Sequence, residues 1–366
     1  MPALLKLNVT NLRNITSLEL RFSPGCNVFY GENGSGKTTL LEAIHMLGLA
    51  RSFRSTQLAS VVQSGQRECT IHGELDDGAS LGISKSQHGP QQIRVSGQRP
   101  DNIPELARSL PLQLLNAETY KILEGSPKIR RHFMDWGVFH VERFFVDCWK
   151  QAQRALQNRN RLLRNQASRQ EIEPWSHEFS RHGMLLDQFR LAYVEKLIPV
   201  LNEILQEILP IEGLGLEYDR GWEAGSDLMT VLAAGLERDY RYGYTVAGPQ
   251  RADIRIRIGK QAAIDILSRG QQKLLVSSLK IAQGHLLQQE TGKECLYLVD
   301  DLPAELDEKN RRAVCRMFEK LGTQVFITGV DKAALDACWQ ALAQRKVFHV
   351  KHGRISPDPE SEGSAE

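Results

Sequence analysis

The sequence predicts an α/β fold: a β-rich N-terminal part with a strand–loop–helix core, a helical insertion, and a return to alternating helices and strands. Three observations carry this. A short run, Cys26-Asn27-Val28-Phe29-Tyr30, ends at Gly31 and leads through a glycine-rich loop into a segment with helical spacing. A second run, Leu296-Tyr297-Leu298-Val299, ends in two carboxylates, Asp300 and Asp301. Between them, from about Ala117 to Leu236, the pattern is mostly helical.

In order, Leu4 to Val9 and Ser17 to Phe22 alternate apolar and polar residues, as half-buried strands do. Cys26 to Tyr30 reads as a buried strand, and Thr38 to Leu49 as a helix with Leu41, Ile44, His45 and Leu47 on neighbouring turns. Cys69 to Val95 alternates again with Gly and Asp turns, so further antiparallel strands are expected. Helices are predicted over Ile129–Asp135, Phe144–Arg164, His177–Ile208 and Asp227–Arg238. Strands return at Tyr244–Val246, Ile254–Ile258 and Leu296–Val299. The resulting division is 1–116, a helical lobe over 117–240, 241–352, and a disordered tail over 353–366, rich in Pro, Ser, Glu and Gly.

At 366 residues the chain is long for one core, which agrees with an inserted lobe. A net charge of +2 carries no global preference for nucleic acid, so any such signal must be local. The six cysteines form no CxxC pair and no Cys/His ligand spacing, so a disulfide or zinc framework is not expected. The N-terminus lacks a signal-peptide core and no apolar run could span a bilayer. A cytoplasmic location without a membrane partner is expected.

Gly31-Glu32-Asn33-Gly34-Ser35-Gly36-Lys37-Thr38 matches the phosphate-binding pattern G-x-x-x-x-G-K-[ST], between a predicted strand and a predicted helix. Its glycines let backbone N–H groups approach phosphates, and the helix N-terminus adds partial positive charge. Lys37 is expected to bridge the β and γ phosphates of ATP, and Thr38 to hold Mg²⁺. A metal at Thr38 needs another oxygen donor, which Asp300 would supply, with Asp301 toward the γ-phosphate. Ser268-Arg269-Gly270-Gln271 precedes an amphipathic helix over Leu274–Leu287. By itself this segment is a plain helix cap; placed just upstream of the two-carboxylate strand it suits an anion. Lys150, Arg154, Arg159, Arg161, Arg164 and Arg169 lie in a stretch without Asp or Glu, a cationic helix suited to DNA phosphates or simply to solvent.

The order of loop, Ser-x-Gly-Gln segment, Asp-Asp strand and Glu305-Leu306-Asp307 resembles that of ABC/SMC-type ATPase heads. Asn11–Ile15, Gly31–Thr39, Gly125-Ser126-Pro127 with Arg130, Arg131 and Asp135, Gly248-Pro249 with Arg251 and Asp253, Ser268–Gln271 and Asp300–Asp307 narrow the resemblance to the RecF family. It runs from Leu4 to Val350.

The resemblance implies a mixed sheet, an antiparallel β subdomain, a helical lobe and no long coiled coil. It implies two heads sandwiching two ATPs, with Ser268, Gly270 and Gln271 meeting the nucleotide of the other copy and Asp307 at the seam. Arg13 and Thr39 would join the phosphate site, Gln113 the Mg²⁺, and Asp301 would orient water. The activity implied is weak, DNA-dependent ATP hydrolysis. Partners would be double- and single-stranded DNA without sequence preference, and RecR- and RecO-type proteins, in RecA loading and the SOS response. Two departures are visible: Thr328 stands where a switch histidine is usual, and Gln250 where the family tends to have His. A small-molecule kinase would leave Ser268–Gln271 and Asp307 without roles, and a transporter subunit would not account for the Arg13 segment.

Overall fold

The computed structural model describes residues 3–100, 103–339 and 345–358. The chain divides into two compact units, one of Met1–Tyr120, Ile204–Pro210 and Arg269–Glu366, the other of Lys121–Glu203 and Ile211–Ser268. The first begins with β1 (Leu4–Leu12), β2 (Ile15–Arg21), β3 (Cys26–Tyr30), α1 (Lys37–Leu49), β4 (Glu68–Leu75), β5 (Ser80–Ser86), β6 (Gln91–Val95), α2 (Ile103–Ser109) and β7 (Leu112–Leu115). The second holds α3 (Lys121–Glu124), α4 (Pro127–Val141), α5 (Phe145–Arg164), most of α6 (Arg169–Ile208), β8 (Leu214–Asp219), α7 (Leu228–Ala234), α8 (Leu236–Tyr242), β9 (Asp253–Ile258), β10 (Gln261–Ala262) and α9 (Ala263–Ile266). The first unit is completed by α10 (Arg269–Thr291), β11 (Leu296–Val299), α11 (Leu302–Glu305), α12 (Glu308–Leu321), β12 (Val325–Gly329), α13 (Lys332–Asp336), β13 (Arg345–Lys351) and β14 (Arg354–Pro357).

Two sheets build the first unit. In the order β14-β13-β3-β12-β11-β7, all strands run parallel except β14 at one edge. β11 and β12 are buried along their whole length, as parallel strands covered on both faces must be. β3 lies between β12 and β13, so the loop after it emerges where three parallel strands end together. Beneath that end, Phe29 stacks on Phe348 at 4.9 Å and Phe22 meets Phe326 edge-on at 4.8 Å. The second sheet, β2-β1-β4-β5-β6, is antiparallel, and the strict burial alternation of β4 shows one face packed inward.

The second unit is not purely helical: β8, β9 and β10 form an antiparallel sheet. The sequence boundary at 240 therefore falls short, because β9 pairs with β8 and the unit runs on to Ser268. Likewise the first unit reaches Tyr120, past 116. Tyr244–Val246 is not a strand; the Thr245 N–H and hydroxyl both donate to Asn160 Oδ1 of α5, at 2.8 and 2.7 Å. The expectation of a disordered tail does not hold for residues 353–358. β14 pairs with β13, and Tyr30 donates to the buried Asp358 at 2.5 Å. Residues 359–366 lie outside the described residues. Among the described residues no helix is long and apolar enough to cross a membrane.

Candidate nucleotide site

The loop after β3 is held from outside as well as by its own glycines. Gly36 caps α1 at φ +119°, and Gly34 lies at φ +78°, conformations that favour glycine. A Cβ on Gly31 would sit 2.1 Å from the Val350 carbonyl oxygen of β13. The N–H of Gly353 donates to Ser35 O at 2.7 Å. From the β1–β2 turn, Asn14 Nδ2 reaches the same carbonyl at 3.3 Å, while Asn14 Oδ1 accepts the Thr39 hydroxyl at 3.0 Å. Thr39 thus braces the loop through Asn14.

Lys37 donates to Gly31 O at 2.6 Å and Glu32 O at 2.9 Å, so its ammonium sits inside the curl of the loop. Burial lowers its pKa, and Asp301 and Asp300 pull it back up. The Ser35 hydroxyl is buried without a hydrogen-bond partner. A buried ammonium on backbone carbonyls and an orphaned hydroxyl fit an incoming oxyanion. Lys37 lines a cleft of about 430 Å³ together with Asn33, Gly34, Thr38, Asp300, Asp301, Arg13 and Arg54. Glu32, Asn33 and Gly34 are exposed.

Across the cleft, β11 delivers Asp300 to α1. The Thr38 hydroxyl lies 3.1 and 3.2 Å from the two carboxylate oxygens. Thr328, at the end of β12, donates to Asp300 Oδ1 at 2.8 Å and accepts the Asp301 N–H at 2.8 Å. One hydroxyl thereby ties the Asp300 carboxylate to the backbone of Asp301. A hard cation needs this convergence of hydroxyl and carboxylate oxygens, so Thr38 and Asp300 fit Mg²⁺. Asp301 is held at φ +52°, a left-handed conformation uncommon for aspartate. Burial raises its pKa, with Asp300 and Glu305 adding and Lys37 opposing.

Arg13 meets the cleft on a buried support. Its Nε and Nη2 grip Glu42 of α1 at 2.5 and 2.7 Å, and Glu42 also accepts Ser52 Oγ at 2.5 Å. Arg54 lies 3.6 Å from the same carboxylate. Glu42, Arg54 and the bracing roles of Asn14 and Thr328 were not read from the sequence; Glu42 lies on an apolar helix with nothing local to mark it.

Gln113 does not belong to the metal site. It is buried mid-strand, level with Tyr297, three residues before Asp300. Its amide donates to Gln283 at 3.1 Å and accepts Lys280 at 2.9 Å. The strand ends at Leu115, so a side chain two positions earlier cannot reach the cleft mouth.

Gly270, Gln271 and Asp307 share a unit with Lys37, yet none lines its cleft. Ser268 and Gln271 are exposed, and a Cβ on Gly270 would meet nothing closer than Asn310 Nδ2 at 4.0 Å. Lys273 pairs with Glu305 at 2.7 Å, tying this helix start to the turn after Asp301. Asp307 caps α12, accepting Asn310 N at 2.9 Å and Asn310 Nδ2 at 2.8 Å.

In the second unit, the motif residues around Gly125 and Gly248 meet each other. Arg130 grips Asp253 at 2.7 and 2.8 Å, and Arg131 donates to Ala252 O at 2.7 Å. Arg190 grips Asp135 at 2.8 and 2.9 Å and reaches Pro249 O at 2.7 Å. These bidentate pairs weld α4, α6 and the segment before β9. Gln250 donates to Thr245 O at 3.2 Å and Ala247 O at 3.1 Å, a structural position.

On α5, Lys150, Arg154, Arg161 and Arg164 are exposed at i, i+4, i+11 and i+14, one helical stripe. No carboxylate among the described residues pairs with them. Arg159 is the exception. It is fully buried and binds Asp239 at 2.8 Å, Thr245 at 2.6 Å and Ser176 at 2.9 Å. It cannot touch DNA, because it falls on the apolar stripe of Ala152, Ala155, Leu156 and Leu163.

The family model of the RecF/RecN/SMC N-terminal domain matches residues 3–356. The DNA replication and repair protein RecF of Pseudomonas syringae pv. tomato is 49% identical over 361 residues, covering 97% of this chain and 98% of that protein. RecF of Azotobacter vinelandii is 49% identical over 360 residues, covering 96% and 97%. The solved structure of the recombination mediator protein RecF-ATP in the RecFOR pathway superposes with a TM-score of 0.84 at 25% identity, covering 97% of each chain. An Smc head bound to the C-winged helix domain of ScpA shares the fold, with a TM-score of 0.59 at 16% identity over 98% and 97%. With its phosphate cradle, its paired carboxylates and these matches along nearly all its length, the chain belongs to the RecF family of ABC/SMC-type heads.

Proposed function

We propose that this chain is an ATP-dependent, DNA-binding recombination mediator in DNA replication and repair. ATP and Mg²⁺ occupy the Lys37 cleft, with Thr38 and Asp300 as the protein's metal donors. Mg²⁺ supplies charge neutralisation on the phosphates. Asp301 orients the attacking water, and Lys37 follows the charge that develops on the γ-phosphate. Two copies close on two nucleotides, Ser268, Gly270 and Gln271 of one copy meeting the γ-phosphate held by the other, with Asp307 at the seam. DNA lies along the Lys150–Arg164 stripe, read through its phosphates. Slow, DNA-dependent hydrolysis opens the dimer. The role extends to single-strand gaps and stalled forks, RecR- and RecO-type partners, RecA loading and the SOS response.

The carrying observation is the placement of Gly270 and Gln271. They share a unit with Lys37 yet do not line its cleft, which supports the reading in which a second copy brings its nucleotide to them. The test is molar mass by light scattering in apo, ATP–Mg²⁺ and ATP–Mg²⁺–DNA states. The wild type doubles its mass with ATP, whereas Ser268→Arg binds ATP and stays monomeric. A wild-type mass that is monomeric in every state removes the clamp.

A further inference from the structure

The end of α8 and the residues after it expose two aromatic rings. Tyr242 is 56% and Tyr244 41% exposed. Their rings stack, with centroids 5.8 Å apart and planes 29° apart. Gly243 between them caps α8 at φ +70°. Arg251 lies 5.4 Å from the Tyr244 ring centroid, and a Cβ on Gly243 would meet Arg164 Cγ at 3.1 Å. The rings are thus bordered by Arg251 and by the C-terminal end of the α5 stripe. Arg238 and Arg241 of α8 are exposed as well, against one exposed carboxylate on that helix, Glu237.

The platform is rigid. Beneath it, buried Arg159 joins Asp239 of α8 to Thr245, and the other Asp239 oxygen accepts the Val246 N–H at 3.0 Å. Both sides of the tyrosine pair are therefore fixed to α5. Tyr240 adds a bond from its hydroxyl to Ala167 O at 2.6 Å.

We propose that Tyr242 and Tyr244, flanked by Arg164 and Arg251, stack the bases of an unpaired DNA strand. Bases within a duplex already cover each other's faces and present only edges and phosphates. An unpaired base offers a free π-face, and exposed aromatics beside arginines are what captures it, without regard to sequence. A tyrosine ring has only two side-chain torsions and so loses little freedom on binding, which favours this use over a longer, adaptable contact. The proposal rests on the DNA-binding reading above and adds a preference within it: the α5 stripe holds phosphates of either form, and the tyrosine pair rewards a strand with no partner.

The test compares the wild type with Tyr242→Ala/Tyr244→Ala and Tyr242→Phe/Tyr244→Phe. Fluorescence anisotropy measures binding of an oligothymidylate and of a duplex of equal length, and an oligonucleotide containing 2-aminopurine reports stacking. The alanine pair is expected to lose about tenfold or more in single-strand affinity and the 2-aminopurine quench. It keeps its duplex affinity within twofold, its ATP-dependent mass and its melting temperature. The phenylalanine pair retains single-strand binding, since stacking needs the ring and not the hydroxyl. Unchanged single-strand affinity in the alanine pair overturns the proposal. Equal loss on both DNA forms overturns it in favour of a general phosphate contact. A wild type that binds neither DNA form sinks the underlying DNA reading itself, an outcome separable from the other two.

Discussion

Thr328 donates a 2.8 Å hydrogen bond to the carboxylate of Asp300, from the strand end where a switch histidine is usual. The Thr328 hydroxyl oxygen also accepts the Asp301 N–H, so a neutral hydroxyl links the Asp300 side chain to the Asp301 backbone. Thr328→Val removes both bonds while keeping the side-chain shape. A hydrogen bond to a charged group contributes about 1.5–3 kcal/mol. The variant is expected to bind ATP normally in EDTA and to hydrolyse ATP–Mg²⁺ about tenfold or more slowly, with Thr328→Ser restoring the rate. Steady-state phosphate release checks this, and an unaltered rate in the valine variant excludes Thr328 from the site.

Lys37→Met removes the ammonium that lies on Gly31 O and Glu32 O. A fluorescent ATP analogue should show at least about a hundredfold weaker binding, the order expected when a charged phosphate contact is lost. Thermal melting without nucleotide should barely change, because the loop is braced independently by Asn14 and Gly353.

Asp301 carries a carboxyl whose pKa is raised, first by burial and then by Asp300. In the role proposed for Asp301 only the ionised form orients water, so protonation should stop the reaction. As pH falls through that raised value, hydrolysis declines earlier than it would for an ordinary aspartate. The acid limb of the rate profile measures this. Asp301→Asn should bind ATP, form the dimer and show a low rate with no acid limb. A limb unchanged by the substitution assigns the titration to another group.

Arg159 and Arg161, two residues apart on α5, should behave as opposites. Arg159→Ala leaves Asp239 buried without its partner, a change that costs about 3–5 kcal/mol, and urea unfolding should show it. Arg161→Ala should shift stability by less than about 0.5 kcal/mol and weaken DNA binding.

Charge removal along the stripe should appear in the salt dependence of DNA affinity. Each of Lys150, Arg154, Arg161 and Arg164 replaced by Gln is expected to lower the slope of log affinity against log salt by about 1. Slopes that stay constant across the four variants move the DNA path off α5.

The nucleotide cleft was legible because its chemistry is written in contiguous residues: a loop between strand and helix, and a strand ending in two aspartates. What escaped was whatever depends on contacts between distant segments. Glu42 and Arg54 show their purpose only once Arg13 folds onto α1. Gln113 was misplaced because the sequence gives no depth along a strand, and register with Tyr297 supplies it. Arg159 was the opposite failure. Its place among Ala152, Ala155, Leu156 and Leu163 already marked the inward face of α5, and counting charge without counting phase concealed it. β8 was missed because Gly213 and Gly215 break the short alternation of Leu214–Asp219.

The loop is encoded early, but its supports are not. β3 is walled by β12 and β13, Gly31 rests on Val350, and Ser35 is tied down by Gly353. During synthesis from the N-terminus, a growing chain therefore displays the right letters with no scaffold around them. It stays blind to nucleotide until the distant strands emerge, however slowly the ribosome moves. A premature stop before β13 would leave a polypeptide containing every residue of the phosphate loop but neither the β13 wall nor the Gly353 tie that hold it in place.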